Sequence, residues 1–173
     1  MPLLSKIVDS KIESWAILVR KDQAAAEVLT GGVKDLKSLR DIPLNESEQL
    51  VMIPYAQIRE RGYEVVEDNT PLRVMEISKR EEVSENSLIE LLPDFSPNVE
   101  ISGFDIPDAE YERSVQAVIR DEIGGGEGAN FVIRRDFIAV ANLQDTNAHR
   151  LALTLLRKLL VNERGAYWTF AIV

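Results

Sequence analysis

Chemistry in this sequence has to be sought among arginines, carboxylates and aromatic residues, because its 173 residues include one histidine and no cysteine. Without thiols there is no disulfide framework, no thiolate nucleophile and no cysteine metal site. His149 has no second histidine to form a metal pair, and the serines do not fall in a nucleophile-elbow pattern, so neither zinc nor triad chemistry is expected. Its simplest role is at a surface or an interface. The acidic pairs Glu81-Glu82 and Asp121-Glu122 do not converge on one point by themselves, because adjacent side chains diverge on a helix or strand. Gly124-Gly125-Gly126-Glu127-Gly128 has the composition of a phosphate loop but the wrong order. It follows a helix and precedes a strand, whereas a phosphate cradle opens a helix. A helix C-cap and turn is the expectation there. Arg134-Arg135-Asp136 is more informative: strand alternation sends the two arginines to opposite faces, so Arg135 either forks a substrate carboxylate or pairs with a structural acid. Tyr167, Trp168 and Thr169 combine aromatic bulk with hydrogen-bonding tips, which suits a ligand-pocket wall or a core with satisfied polar ends. These four residues are the ligand-pocket candidates; no catalytic and no metal-binding residue is assigned.

Composition limits the class of protein. Hydrophobic residues at 45% and charged residues at 28% are ordinary for a globular domain. A net charge of −9 opposes attraction to nucleic-acid phosphates. No apolar run approaches the ~20 residues that span a bilayer, and the N-terminus carries Lys6, Asp9, Lys11 and Glu13 where a signal peptide would be apolar. The expectation is a cytoplasmic protein with neither nucleic-acid nor membrane partners.

The elements that would position the candidates alternate in type. Trp15 to Arg20 is rich in β-formers, and Glu27 to Thr30 leads into Gly31-Gly32, which predicts a tight turn and a hairpin or meander. Leu50 to Tyr55 predicts a buried strand ended by Pro54, and Gln57 to Arg61 a short helical piece closed by Gly62. Tyr63 to Glu67 and Leu72 to Ile77 predict two strands joined by a turn at Asp68-Asn69-Thr70-Pro71. Ser84 predicts a cap for a short helix ending before Pro93. Asp108 predicts the N-cap of a longer helix whose apolar face is Tyr111, Val115, Val118, Ile119 and Ile123. Asn130 to Phe137 predicts a strand running to about Ala141. A second long helix is predicted between a cap at Asp145 or Thr146 and Gly165. Its stripe is Leu151, Leu155, Leu156, Leu159 and Leu160, and Arg157, Lys158 and Arg164 complement its C-terminal dipole. Residues 166–173 predict a strand. The sum is an α+β fold, mainly an antiparallel sheet with two longer helices. It divides into an N-terminal mainly β subdomain at 1–92, a connector at 93–107 rich in proline and glycine, and a third segment at 108–173.

Three blocks in order carry a resemblance: Ile53-Pro-Tyr-Ala-Gln-Ile-Arg-Glu-Arg-Gly-Tyr63, the stretch from Tyr111 through Asp121-Glu-Ile-Gly-Gly-Gly-Glu-Gly-Ala-Asn-Phe131 to Phe137, and Glu163-Arg-Gly-Ala-Tyr-Trp-Thr-Phe170. From about Leu50 onward the sequence resembles chorismate-utilising enzymes, a family that includes anthranilate, isochorismate and salicylate synthases. Its narrower pattern resembles the aminodeoxyisochorismate synthases of phenazine biosynthesis. The resemblance implies that this chain is the front part of a chorismate-enzyme β-sandwich, with 108–173 the start of a chorismate-binding catalytic domain. It further implies a parent enzyme that aminates chorismate with Mg2+, using ammonia from a glutamine amidotransferase domain. In that family the magnesium-binding glutamates and the acid/base residues lie beyond the block ending at Phe170, so none is carried over and the chain alone is expected to be inactive. The segment Gly165-Ala-Tyr-Trp-Thr lacks the proline-rich lead-in of anthranilate synthases, so no tryptophan site is carried over either. A half-sandwich exposes sheet edges, so a homo-oligomer is expected. The alternative is a stand-alone, non-catalytic binding or dimerisation module.

Overall fold

The computed structural model describes residues 1–44, 47–142, 146–163 and 165–173. They form two compact units, one of residues 1–95 with 146–173 and one of residues 96–145. The architecture is α+β with a mainly antiparallel sheet, as expected.

In the first unit, strands β1 (Trp15–Arg20), β2 (Ala25–Leu36), β3 (Gln49–Met52), β4 (Leu72–Ser84) and β7 (Trp168–Ile172) make one antiparallel sheet in the order β3-β4-β2-β1-β7. Alternation along β1 divides its side chains between two cores. Trp15 and Ile17 face one side, where Ala26, Val28 and Val83 join them. Three helices cover that side: α1 (Leu3–Val8), α2 (Glu85–Leu91) and α4 (Ala148–Asn162). On the opposite side, Ala16, Leu18 and Leu29 are buried together, with Leu50, Ile77 and Ile172 packed against them.

Several local expectations hold. Ser84 caps α2 by accepting from the Ser87 backbone N–H. The 3-10 turn Tyr55–Arg61 closes on Gly62 at φ 84°, the left-handed region that favours glycine. Others are corrected. Gly31-Gly32 is not a turn: β2 runs through it, and the chain reverses earlier, at residues 21–24. Glycine is needed at 31 because β2 and β4 shift register beside it, and a Cβ there would lie 1.8 Å from the Glu76 carbonyl oxygen. Tyr63 to Glu67 is not a strand; Val66 is 92% exposed and has no neighbouring chain to pair with, and apolar character alone does not make a strand without a surface to pack on. The leucine stripe of α4 is half right. Leu156 and Leu160 are buried, but with Leu153 and Thr154, while Leu155 and Leu159 are about half exposed. Its cap is Asn147, whose side chain accepts from the Arg150 N–H. Asp145 and Arg164, named from sequence as a cap and a dipole partner, lie outside the described residues.

The second unit contains strands β5 (Val99–Phe104) and β6 (Phe137–Ala141), paired antiparallel, and helix α3 (Asp108–Ala117). β5 lies inside the segment read as a connector. The strand predicted from Asn130 to about Ala141 forms in its second part, as β6; residues 130–136 are irregular. Asp108 is the first helical residue, with Pro107 at the cap. From Val118 the helix widens to i→i+5 bonding, as in the Gly124 N–H bonded to the Ile119 carbonyl at 3.0 Å. The glycines then end it, with Gly126 at φ 82°.

Candidate functional site

The last strand, β7, carries three of the four ligand-pocket candidates, and its pairing with β1 fixes where each points. Trp15 and Val173 exchange both backbone hydrogen bonds, and the Lys21 N–H donates to the Tyr167 carbonyl. With Val19 opposite Thr169 and Arg20 opposite Trp168, neighbouring side chains on β7 must alternate between faces. Thr169 is buried toward the helix-covered side, whereas Trp168 and Phe170 lie on the other side, half exposed. Tyr167 is largely exposed. The three candidates therefore do not converge on one pocket.

Thr169 lines a cavity of about 240 Å³ with Arg20, Lys21, Gln23, Glu85 and Glu163. This is below the ~300–1,000 Å³ typical of small-molecule sites. On the other face, Ile172 and Val173 close one side of a cleft of about 480 Å³ with Ser14, Met52, Met75 and the Asp35–Arg73 ion pair. That cleft has the size and mixed lining of a ligand site, and Trp168 is not part of it. Trp168 instead meets Phe170 edge to face at 6.1 Å, with the Arg20 guanidinium 5.5 Å from its ring centre. Arg20 also pairs with Glu27, Glu27 with Arg80, and Arg80 with Glu48. This ion-pair chain crosses β1, β2 and β4.

Arg135 belongs to the second unit. Its guanidinium lies 3.8 Å from the Phe104 ring centre and 4.6 Å from that of Tyr111, and it bonds Asp108 at 2.5 Å. Tyr111 in turn donates to the Ile133 carbonyl, and the Asp136 N–H to the Asp105 carboxylate. Of the two readings open in sequence, a structural acid is the partner this geometry supplies. Arg134 pairs with Asp136, which raises its pKa through that hydrogen bond.

His149 has a role that its sequence position does not reveal. The Trp15 indole N–H, which can only donate, bonds its Nδ1 at 3.0 Å, so Nδ1 must accept. Nε2 then carries the hydrogen and donates to the Ile7 carbonyl at 2.6 Å. The ring also meets Trp15 edge-on at 5.3 Å. One imidazole thus ties α4 to β1 and to the end of α1. Both nitrogens are engaged, which leaves no lone pair for a substrate.

The acidic pairs are committed elsewhere. Glu81 accepts from the Leu4 N–H at the start of α1, and Asp121 forms a two-point bond with Arg120. Among the described residues, no group of three or more His, Asp or Glu side chains is placed to hold a metal ion. Also among the described residues, no helix is long and apolar enough to cross a membrane.

In class, the chain is an α+β protein whose first unit offers clefts and an aromatic strand at the sheet edge. Its relatives are more specific. It is 38% identical over 180 residues to a protein of Pseudomonas chlororaphis described as "Anthranilate synthase, phenazine specific", and 37% identical over 181 residues to one of Pseudomonas fluorescens with the same description. Both alignments take in 98% of this chain but only 28% of the relative. The chain is thus homologous to a portion of phenazine-specific anthranilate synthases. No protein-family model matches it.

Proposed function

We propose that this chain is the N-terminal part of an aminodeoxyisochorismate or anthranilate synthase-like enzyme that aminates chorismate in phenazine-type secondary metabolism. The observation that carries this reading is the near-complete alignment of the chain with little more than a quarter of each relative. In this reading the chain supplies a sheet scaffold and the wall of the cleft at Ser14, Met52, Met75 and Ile172. Polypeptide outside the chain supplies Mg2+ binding, proton transfer and, through a glutamine amidotransferase domain, ammonia. Magnesium would polarise a substrate carboxylate, and a positioned base and acid would activate the amine and assist the leaving hydroxyl. A cytoplasmic location fits a soluble substrate of this kind.

Complementation tests it. Incubated with chorismate, ammonia and Mg2+, the chain alone should give no turnover. Mixed or co-expressed with the part of the P. chlororaphis relative that it does not span, it should restore amination. Turnover by the chain alone, or a stable complex with that remainder that stays inactive, would refute the reading. In the second case the chain would be a non-catalytic binding module derived from the family.

A further inference from the structure

The seven-residue 3-10 turn Tyr55–Arg61 builds a groove apart from the cavities described above, and we infer that this groove binds a planar aromatic carboxylate. With three residues per turn, side chains at i and i+3 eclipse, so a 3-10 run sorts its residues into three ridges. Two of the ridges are committed within the chain. Ala56 is buried and its carbonyl accepts from Arg59 Nε, while Arg59 also pairs with Glu67. Gln57 is buried, and its amide donates to the Lys37 carbonyl and to Glu60. Glu60 accepts in addition from the Leu39 N–H and the Ser38 hydroxyl. Runs of 3-10 bonding beyond three or four residues are uncommon, and these ties account for the length of this one. The third ridge is Tyr55, Ile58 and Arg61. Tyr55 is 82% exposed, and among the described residues Arg61 has no hydrogen-bonded or ionic partner.

This third ridge lines the groove together with Leu39, Ile53 and Tyr63. The space is about 370 Å³, within the ~300–1,000 Å³ of small-molecule sites, and it is formed wholly by residues 39–63 of the first unit. Its walls and its charge select one kind of ligand. Among the described residues, neither Tyr55 nor Tyr63 packs on another ring, so a flat apolar body finds two aromatic faces without displacing a partner. Arg61 is the one charged side chain of the lining. Its guanidinium can fork a carboxylate through two parallel N–H···O bonds, and Glu60, beside it in sequence, is already bonded to Leu39, Ser38 and Gln57. One cation among apolar walls suits a monoanion with a ring; a doubly charged phosphate would leave charge uncompensated, and a cation would be repelled. Because the groove is open to solvent, the binding is weak. For a ligand the size of cinnamate the ligand-efficiency limit gives a Kd of about 0.5–5 mM.

Titration of the intact chain with sodium cinnamate to about 20 mM, at constant ionic strength and followed by amide NMR, should shift the amides of residues 55–63 saturably. Cinnamyl alcohol, which has the same skeleton without the charge, should bind at least about fivefold more weakly. Arg61→Met keeps an unbranched stem but removes the fork. It should raise the cinnamate Kd at least about fivefold and leave that of cinnamyl alcohol unchanged. Tyr55→Ala, at a ring too exposed to support the fold, should weaken both ligands. Lys79→Met, at an exposed cation on β4, should alter neither. Cinnamate should still bind when the chain is joined by the remainder of the P. chlororaphis relative. The inference is overturned by the absence of saturable shifts at residues 55–63, by equal affinity for the alcohol, or by an Arg61→Met variant that binds as the parent does. Loss of binding in the presence of the remainder would also overturn it, by assigning the groove to polypeptide. Cinnamate binding and turnover in the complementation assay are separate readouts, so either can fail alone.

Discussion

Replacing His149 by leucine should destabilise the first unit measurably, and the size of the loss follows from its two bonds. Leucine keeps much of the ring's volume against Trp15 but offers Nε1 no acceptor. The indole belongs to a residue with no exposed surface, so its N–H is stranded, at a cost of about 1–3 kcal/mol. The Ile7 carbonyl loses one donor but keeps the Ser10 N–H at 2.9 Å, so its share is smaller, about 0.5–1 kcal/mol. Loss of the edge-on ring contact adds about 0.5–1 kcal/mol. The expected total is roughly 2–5 kcal/mol, or about 1–2.5 M in urea midpoint for a slope near 2 kcal/mol/M. Urea unfolding followed by far-UV circular dichroism and tryptophan fluorescence gives the midpoint. A double-mutant cycle with Trp15→Phe isolates the bond, because the second substitution cannot remove what the first has already broken. A coupling of about 1 kcal/mol is expected. A His149→Leu midpoint within about 0.2 M of the parent, or strict additivity with Trp15→Phe, would refute the account of this histidine as a structural tie.

Two further substitutions test the sheet and its flank. Gly31→Ala should abolish folding or cost more than about 3 kcal/mol, because its Cβ would meet the Glu76 backbone at 1.8 Å, whereas Gly32→Ala, with open space around it, should lie within about 1 kcal/mol of the parent; thermal melts of the pair distinguish them. Glu60 is held below the usual carboxylate range, chiefly by the Leu39 backbone N–H and then by Gln57 and Ser38. Since its folded pKa lies below its unfolded one, its stabilising effect is present above the unfolded value and is lost as pH falls through the folded value. Amide shifts at Leu39 and Arg40 should follow that titration, and Glu60→Gln should remove the pH dependence; a variant that leaves it intact would refute the assignment.

What the sequence revealed was governed by local rules, and what it concealed was governed by distance along the chain. Ser84, Gly62 and the glycines at 124–126 act within one turn of themselves, so their roles as caps and turns could be read directly. Trp15 to Arg20 was legible because β-formers continue without interruption. Gly31 was misread because the same residue type serves a tight turn and a close approach, and only the position of Glu76 decides between them. Leu155 was misread because helical periodicity identifies a stripe but not how wide a face the sheet will cover. The histidine tie joins residues at opposite ends of the chain and leaves no pattern in either neighbourhood. Of the candidate site, the alternation that separates Trp168 from Thr169 follows from strand geometry; that β7 docks on β1 does not.

That docking has a consequence for the order of events on the ribosome. β1 emerges long before its outer neighbour, residues 168–172, which pairs with it from Ala16 to Arg20. Until those residues arrive, the growing chain holds an apolar strand with one flank open, and the closing contact spans most of the sequence. Pairing between segments so far apart in sequence forms slowly, so the sheet should complete in a late step. Synthesis speed and chaperone access while residues 21–167 are being made would then govern yield more than the final stability of the folded unit.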